Sequence, residues 1–206
     1  MLPAAMNVRN PSISVERVWP FRHALRITAG VLGFALLTAL GAQVAVPLPY
    51  TPVPATLQTL VVLLAGIVLG PRWGTVSMLF YVLLGVTGYH VFALGRWGLP
   101  TVLGPTGGYL IGFVLAQPVI GRLARPGPRP LPRVLAAVLT GKALIYACGL
   151  AWLAAGTRAD LTTTLLLGFW PFVPGLLLKA SLATLVGSRL LNSARGFFNA
   201  DRTARG

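Results

Sequence analysis

Residues 57–87 read LQTLVVLLAGIVLGPRWGTVSMLFYVLLGVT. Two apolar runs, Leu57–Leu69 and Gly74–Thr87, flank the tripeptide Gly70-Pro71-Arg72. Glycine followed by proline ends one helix and starts another. Each run is shorter than the roughly 20 residues a lone spanning helix takes. The stretch therefore reads as two short membrane helices joined by a tight break. Upstream, about Ile27 to Val46 carries no charge and is then broken by PLPYTPVP at 47–54. Downstream, an irregular stretch from Gly88 to Gly104 holds His90, Arg96, Trp97 and Pro100. Apolar runs follow at about Thr106–Ile120, Val134–Ala155 and Leu165–Leu191, the last interrupted by Pro171 and Pro174. The fold expected is an all-α integral membrane protein of six transmembrane helices. Periodicity does not fix the helix ends, and five or seven spans stay open.

Composition agrees. The chain has 206 residues, 55% hydrophobic and 10% charged, with a mean hydropathy of +0.77. A soluble domain carries about 25% charged residues, so this surface is too poor in charge to be wetted all round. Disorder is excluded by the same figures. A single cysteine, Cys148, makes no internal disulfide. The three acidic residues, Glu16, Asp160 and Asp201, are scattered outside the apolar runs, which argues against a paired-carboxylate hydrolase and against an enzyme generally. His23, His90 and Cys148 lack metal-ligand spacing. No phosphate-cradling G-x-x-x-x-G-K-[ST] loop occurs, so any ATP is handled by another chain.

Seventeen Lys and Arg give a formal charge of +14, as nucleic-acid binders also have. Position argues otherwise. Arg9, Arg17, Arg22 and Arg26 precede the first span; Arg122, Arg125, Arg129 and Arg133 fill one Pro-rich connector; Arg189, Arg195, Arg202 and Arg205 close the chain. Together with Arg72 they all fall on one side of a six-span chain, and the positive-inside rule makes that side, with both termini, cytoplasmic. Only Arg96 and Arg158 fall outside, and Lys142 and Lys179 lie within spans. The expected division is a cytoplasmic tail at 1–23, a membrane domain at 24–191 and a basic cytoplasmic tail at 192–206. A cleaved leader ending near Ala42-Gln43-Val44-Ala45 is a rival reading, disfavoured by the long polar start.

Spans two, four and six then all begin on the outer side, at Pro54-Ala55-Thr56-Leu57-Gln58, Gly104-Pro105-Thr106-Gly107-Gly108-Tyr109 and Pro171-Phe172-Val173-Pro174-Gly175. Each start presents unpaired N–H groups and a positive dipole end, with Thr suited to capping. Three converging ends make a site for an anionic or carbonyl-rich ligand. Gly107 and Gly108 would let a ligand approach the backbone.

Lys179, one and a half turns inside the membrane, is the sharpest candidate, because an ionisable residue there is costly. It wants a ligand carboxylate; the alternative is that it snorkels to the headgroups. Lys142 reads rather as a stem reaching the inner interface, with Tyr146 one turn later on the same face. Gln58 and Thr59 suit hydrogen bonding to a polar ligand head. Tyr109 is a stacking candidate, although interfacial belts use the same residue types. Arg96 either pairs with an anion or is solvated. In the first span, Ala29-x-x-x-Gly33 and Ala35-x-x-x-Ala39 permit close helix contact with a membrane partner.

Three ordered stretches, GAQVAVPLPYTPVPATLQTLVVLLAGIVLGPRWGTVSMLFYVLLGVTGYHVF (41–92), VLGPTGGYLIGF (102–113) and PFVPGLLLKA (171–180), closely resemble the BioY family. These are the biotin-binding S components of energy-coupling factor transporters. The resemblance covers about residues 24–190. It implies a six-helix membrane subunit that captures biotin from outside and works with a transmembrane coupling subunit and two ATPase subunits. Biotin enters as transported substrate, and no cofactor is implied. The G-P-T-G-G-Y loop and Lys179 carry over as site residues. The family pattern P-G-D-x-x-K has Leu176 in place of its Asp, and His90 stands where Pro is usual. The missing Asp removes a partner of Lys179, which bears on affinity and on which carboxylate is preferred. A ligand-free membrane assembly protein, or an S component for another small carboxylate, are the other readings.

Overall fold

The structure, a computed structural model, describes residues 15–128 and 130–199. Arg9, Arg129, Asp201, Arg202 and Arg205 lie outside the described residues. The elements run α1 (Val15–Gln43), β1 (Ala45–Val46), β2 (Ala55–Thr56), α2 (Gln58–Val86), α3 (Leu99–Leu103), α4 (Gly107–Leu123), α5 (Pro130–Thr157), α6 (Leu161–Gly168) and α7 (Val173–Asn199). Short 3-10 turns stand at Ala93–Gly95 and Trp170–Phe172. Among the described residues, four helical segments are long and apolar enough to cross a membrane: Phe21–Gln43, Gln58–Val86, Pro130–Thr157 and Leu161–Phe198. Gly107–Leu123 is a shorter apolar helix. Leu36, Leu139 and Leu178 are each more than half exposed. Exposed leucines around a charge-poor bundle are what lipid solvates.

α2 is continuous only in name. Gly70 has φ +85° and ψ −175°, which no L side chain adopts comfortably. Beyond it the chain reverses. A Cβ on Gly74 would stand 3.3 Å from Gly66 Cα, and the Gln58 side-chain amide donates to the Tyr81 hydroxyl. In a straight helix residues 58 and 81 would be about 34 Å apart. The limbs 58–69 and 71–86 are thus antiparallel, and Pro71 suits the first turn of the second.

Small residues set the packing. Ala35, Ala39 and Ala42 of α1 are buried, whereas Ala29 is exposed and a Cβ on Gly33 would meet nothing within 4 Å. The two small-residue pairs expected to serve one partner therefore divide, Ala35 and Ala39 facing into the bundle and Ala29 outward. The irregular stretch 88–98 is held by Phe92, which is 1% exposed and fills the space beside Gly85. Tyr81 meets Phe92 edge-on at 5.7 Å between centroids and donates to the Val91 carbonyl at 3.0 Å. α7 runs past residue 191 to Asn199, beyond the limit expected for the membrane domain.

Arg195, assigned in sequence to the basic tail, is buried. Its Nε donates to the Ile67 carbonyl at 2.8 Å, and its Nη2 reaches the carbonyls of Gly66 (3.3 Å), Gly121 (3.0 Å) and Ala124 (3.2 Å). These oxygens lie at the C-terminal ends of the first α2 limb and of α4, where helix carbonyls lack intrahelical donors. A guanidinium fork satisfies them and complements two negative dipole ends.

Candidate functional site

At the opposite end of the bundle the starts of α2, α4 and α7 converge on a cavity of about 540 Å³, counted out to its mouth. Gln58 and Thr59 come from the first turn of α2, and Thr106, Tyr109 and Phe113 from α4. Ile145 and Tyr146 come from the middle of α5, and Phe172 and Lys179 from the entry and second turn of α7. Val53, Pro54 and Thr56 line it from the loop that the hairpin closes, with Ala45 paired to Thr56 and Val46 to Ala55.

The helix starts differ in detail from the expectation. Thr56 caps nothing: it is a strand residue, and the N-cap of α2 is Leu57. Thr106 does occupy the N-cap of α4, but its hydroxyl lies 3.4 Å from the Thr101 carbonyl as donor and makes no cap bond. A side-chain cap forms at α6, where Asp160 accepts from the Thr162 N–H at 3.2 Å.

Among the described residues Lys179 is the one charged group lining the cavity, and it is 9% exposed. Helical side chains lean towards the N-terminus, and its stem lies over Gly175, where a Cβ would stand 3.7 Å from Cε. Nζ donates to the Thr56 carbonyl at 2.8 Å, which ties the hairpin to α7. An ammonium has three donors, so two stay available to a ligand. The Thr59 hydroxyl oxygen is buried in the wall without a partner. Tyr109 is committed, donating to the Gly168 carbonyl at 2.8 Å. Its ring meets Tyr146 edge-on at 5.9 Å, and Tyr146 meets Phe169 at 5.5 Å. The site is thus an apolar and aromatic chamber lined by the Lys179 ammonium, with the unpartnered Thr59 hydroxyl buried in its wall.

Six of the residues singled out in sequence meet here: Lys179, Thr106, Tyr109, Gln58, Thr59 and Tyr146. Arg96 is exposed and lines a neighbouring hollow of about 250 Å³ with Thr101 and Leu110, so it stands near the mouth. Gly107 and Gly108 are buried, and the close approach they permit is by protein. A Cβ on Gly107 would collide with the Val102 carbonyl, and one on Gly108 with Trp152. Gly108→Val is therefore expected to destabilise the fold by about 3 kcal/mol, seen as a lowered Tm in detergent; an unchanged Tm would refute the contact. Lys142, expected to reach the inner interface, is instead 4% exposed inside the bundle. Phe113 and Ile145 are not singled out in sequence because apolar residues carry no site signal within apolar helices.

Known proteins bear on this geometry. The family model described as the BioY family matches residues 12–196. The "Biotin transporter BioY" of Thermotoga maritima is 41% identical over 164 residues, covering 80% of this chain and 94% of that one. The "Probable biotin transporter BioY" of Pyrococcus horikoshii is 40% identical over 157 residues, 76% of this chain and 91% of that one. A crystal structure described as the S-component for biotin from an ECF-type ABC transporter superposes with a TM-score of 0.72 at 25% identity, over 90% of this chain and 94% of that chain. The chain belongs to the BioY family.

Proposed function

We propose that the chain is the biotin-binding subunit of a vitamin uptake transporter, taking biotin into the cavity from the outer side of the cell membrane. The observation that carries this reading is the buried Lys179 ammonium within an aromatic-lined cavity at three helix starts. Biotin offers a carboxylate to the ammonium, a ureido group to Thr59 and Gln58, and an apolar bicycle to Tyr146, Phe172 and Phe113. The work is capture and handover with no covalent step, so the protein is a transport subunit and not an enzyme. Its partners are the lipid bilayer and an energy-coupling module of one transmembrane coupling subunit and two ATPase subunits.

The topology follows from the break at Gly70. With the two limbs of α2 counted separately, α1, both limbs, α4, α5 and α7 make six passages, with both termini cytoplasmic. The first limb, about 18 Å long, is shorter than the roughly 30 Å hydrocarbon core. Its start thus lies below the outer surface, and the irregular hairpin covers it, as irregular backbone at membrane depth does where it lines a cavity. Residues 24–191 remain the membrane domain on this reading, with α7 continuing on the cytoplasmic side.

Labelled biotin uptake by a biotin-auxotrophic bacterium lacking its own transporter tests the reading. Expression of the chain with a coupling module is expected to support accumulation that Lys179→Ala abolishes. Accumulation no greater than the vector control, with the protein shown in the membrane, would contradict it. Thr59→Val is expected to weaken biotin binding roughly 3- to 10-fold, the worth of one neutral hydrogen bond. Its Tm should hold or rise, since the hydroxyl has no protein partner. Equal affinity would take Thr59 out of the site.

A further inference from the structure

We infer that Lys142 joins Lys179 to form a two-lysine seat for the ligand's carboxylate at the floor of the cavity. This rests on the biotin reading and adds to it a residue and a binding orientation. Lys142 is 4% exposed near the middle of α5 and makes no hydrogen bond to any described residue. It lies one turn below Ile145 and Tyr146, which line the cavity.

The register of α5 and α7 brings the two lysines level. The start of α7 follows Gly168, which packs against Leu150 and Leu153 near the end of α5, so the two helices run antiparallel. Farther along, a Cβ on Gly187 would stand 3.3 Å from Val134 of α5. Eight residues on from Val134 is Lys142, and eight back from Gly187 is Lys179, an equal rise of about 12 Å on each helix.

Nothing among the described residues neutralises them. Among the described residues no carboxylate lines the cavity. Asp160 is exposed at the start of α6, and the residue one turn before Lys179 is Leu176. Two buried like charges without a counterion are costly, and an anion held between them removes the cost. A carboxylate has two oxygens and about four acceptor directions, enough for one bond from each ammonium. The ligand therefore enters carboxylate first, leaving its uncharged end towards Thr59 and the hairpin.

Equilibrium binding to the purified full chain in detergent tests this with two probes, biotin and its uncharged methyl ester. Lys142→Met keeps the stem and removes the charge. It is expected to weaken biotin roughly 10- to 100-fold and to leave ester affinity unchanged, so that the ester also reports the fold. Lys142→Arg should restore most of the biotin affinity. Equal losses for biotin and ester would make Lys142 a packing residue and overturn the seat, as would undiminished biotin binding. If the wild-type chain binds no biotin, the biotin reading fails on its own, and octanoate becomes the probe. Octanoate binding that depends on Lys142 upholds the seat, and octanoate binding indifferent to Lys142, or absent, overturns it.

Discussion

Replacing Lys179 with alanine is expected to weaken biotin binding by roughly 100-fold or more, the free-energy equivalent of about 2.7 kcal/mol. Hydrogen bonds to a charged group contribute about 1.5–3 kcal/mol each, and this ammonium lines the cavity. The substitution acts twice, since Nζ also holds the Thr56 carbonyl of the covering hairpin. Lys179→Met separates the two by keeping the stem over Gly175 while losing the donors. Its affinity should fall as far as that of Lys179→Ala, with a smaller change in Tm. Arginine is not a neutral replacement here, because its planar fork presents its donors in a different geometry from a compact ammonium. Unchanged affinity in Lys179→Ala would remove the residue from the site.

The second large effect is expected at the other end of the molecule. Arg195→Met should lower stability by about 3 kcal/mol, measured as a fall in Tm of the detergent-solubilised protein. Four backbone carbonyls lose their donor at once, and leaving a buried acceptor unpaired costs about 1–3 kcal/mol. The contributions do not add fully, because the ends can rearrange and admit water. Arg195→Lys should recover only part, as a point charge cannot fork between α2 and α4. Biotin affinity of the folded fraction should move little, since the cavity lies at the far ends of these helices. A variant as stable as the wild type would mean that water satisfies these carbonyls equally well.

Arg195 also marks where sequence reading stops. Among the arginines that close the chain it reads as one more cytoplasmic charge, and the rule that places them there speaks of sidedness, not burial. Its partners are 71 to 129 residues away along the chain, and backbone carbonyls leave no trace in a sequence. Lys142 was misread for a related reason. A flexible stem near a helix end can snorkel, and only the packing of α5 against α7 encloses it. By contrast, the reversal at Gly70-Pro71 was legible because glycine admits a positive φ that other residues avoid and proline fixes the φ that follows, both of them local effects. The convergence of three helix starts was legible too, because it follows from span count and alternation alone. Lys179 stood out because charge in an apolar run is expensive wherever the chain folds. The apolar walls and the hairpin's hold on Lys179 depend on tertiary contacts and were not.

Glycine teaches a similar lesson at Gly107 and Gly108. The sequence reading has a ligand approaching the backbone there. Here it is Val102 and Trp152 that fill the space, and Trp152 in turn donates to the Gly104 carbonyl at 3.0 Å. The G-P-T-G-G-Y segment thus fixes α4 against α5, which in turn sets Tyr109 and Tyr146 edge to edge at the cavity wall.

The most direct measurement is equilibrium binding of labelled biotin to the purified chain in detergent, with no partner subunit present. Saturable binding at one site per chain, displaced by unlabelled biotin and lost in Lys179→Ala, is the result expected. A folded sample that retains no labelled biotin would contradict the assignment of the cavity to biotin.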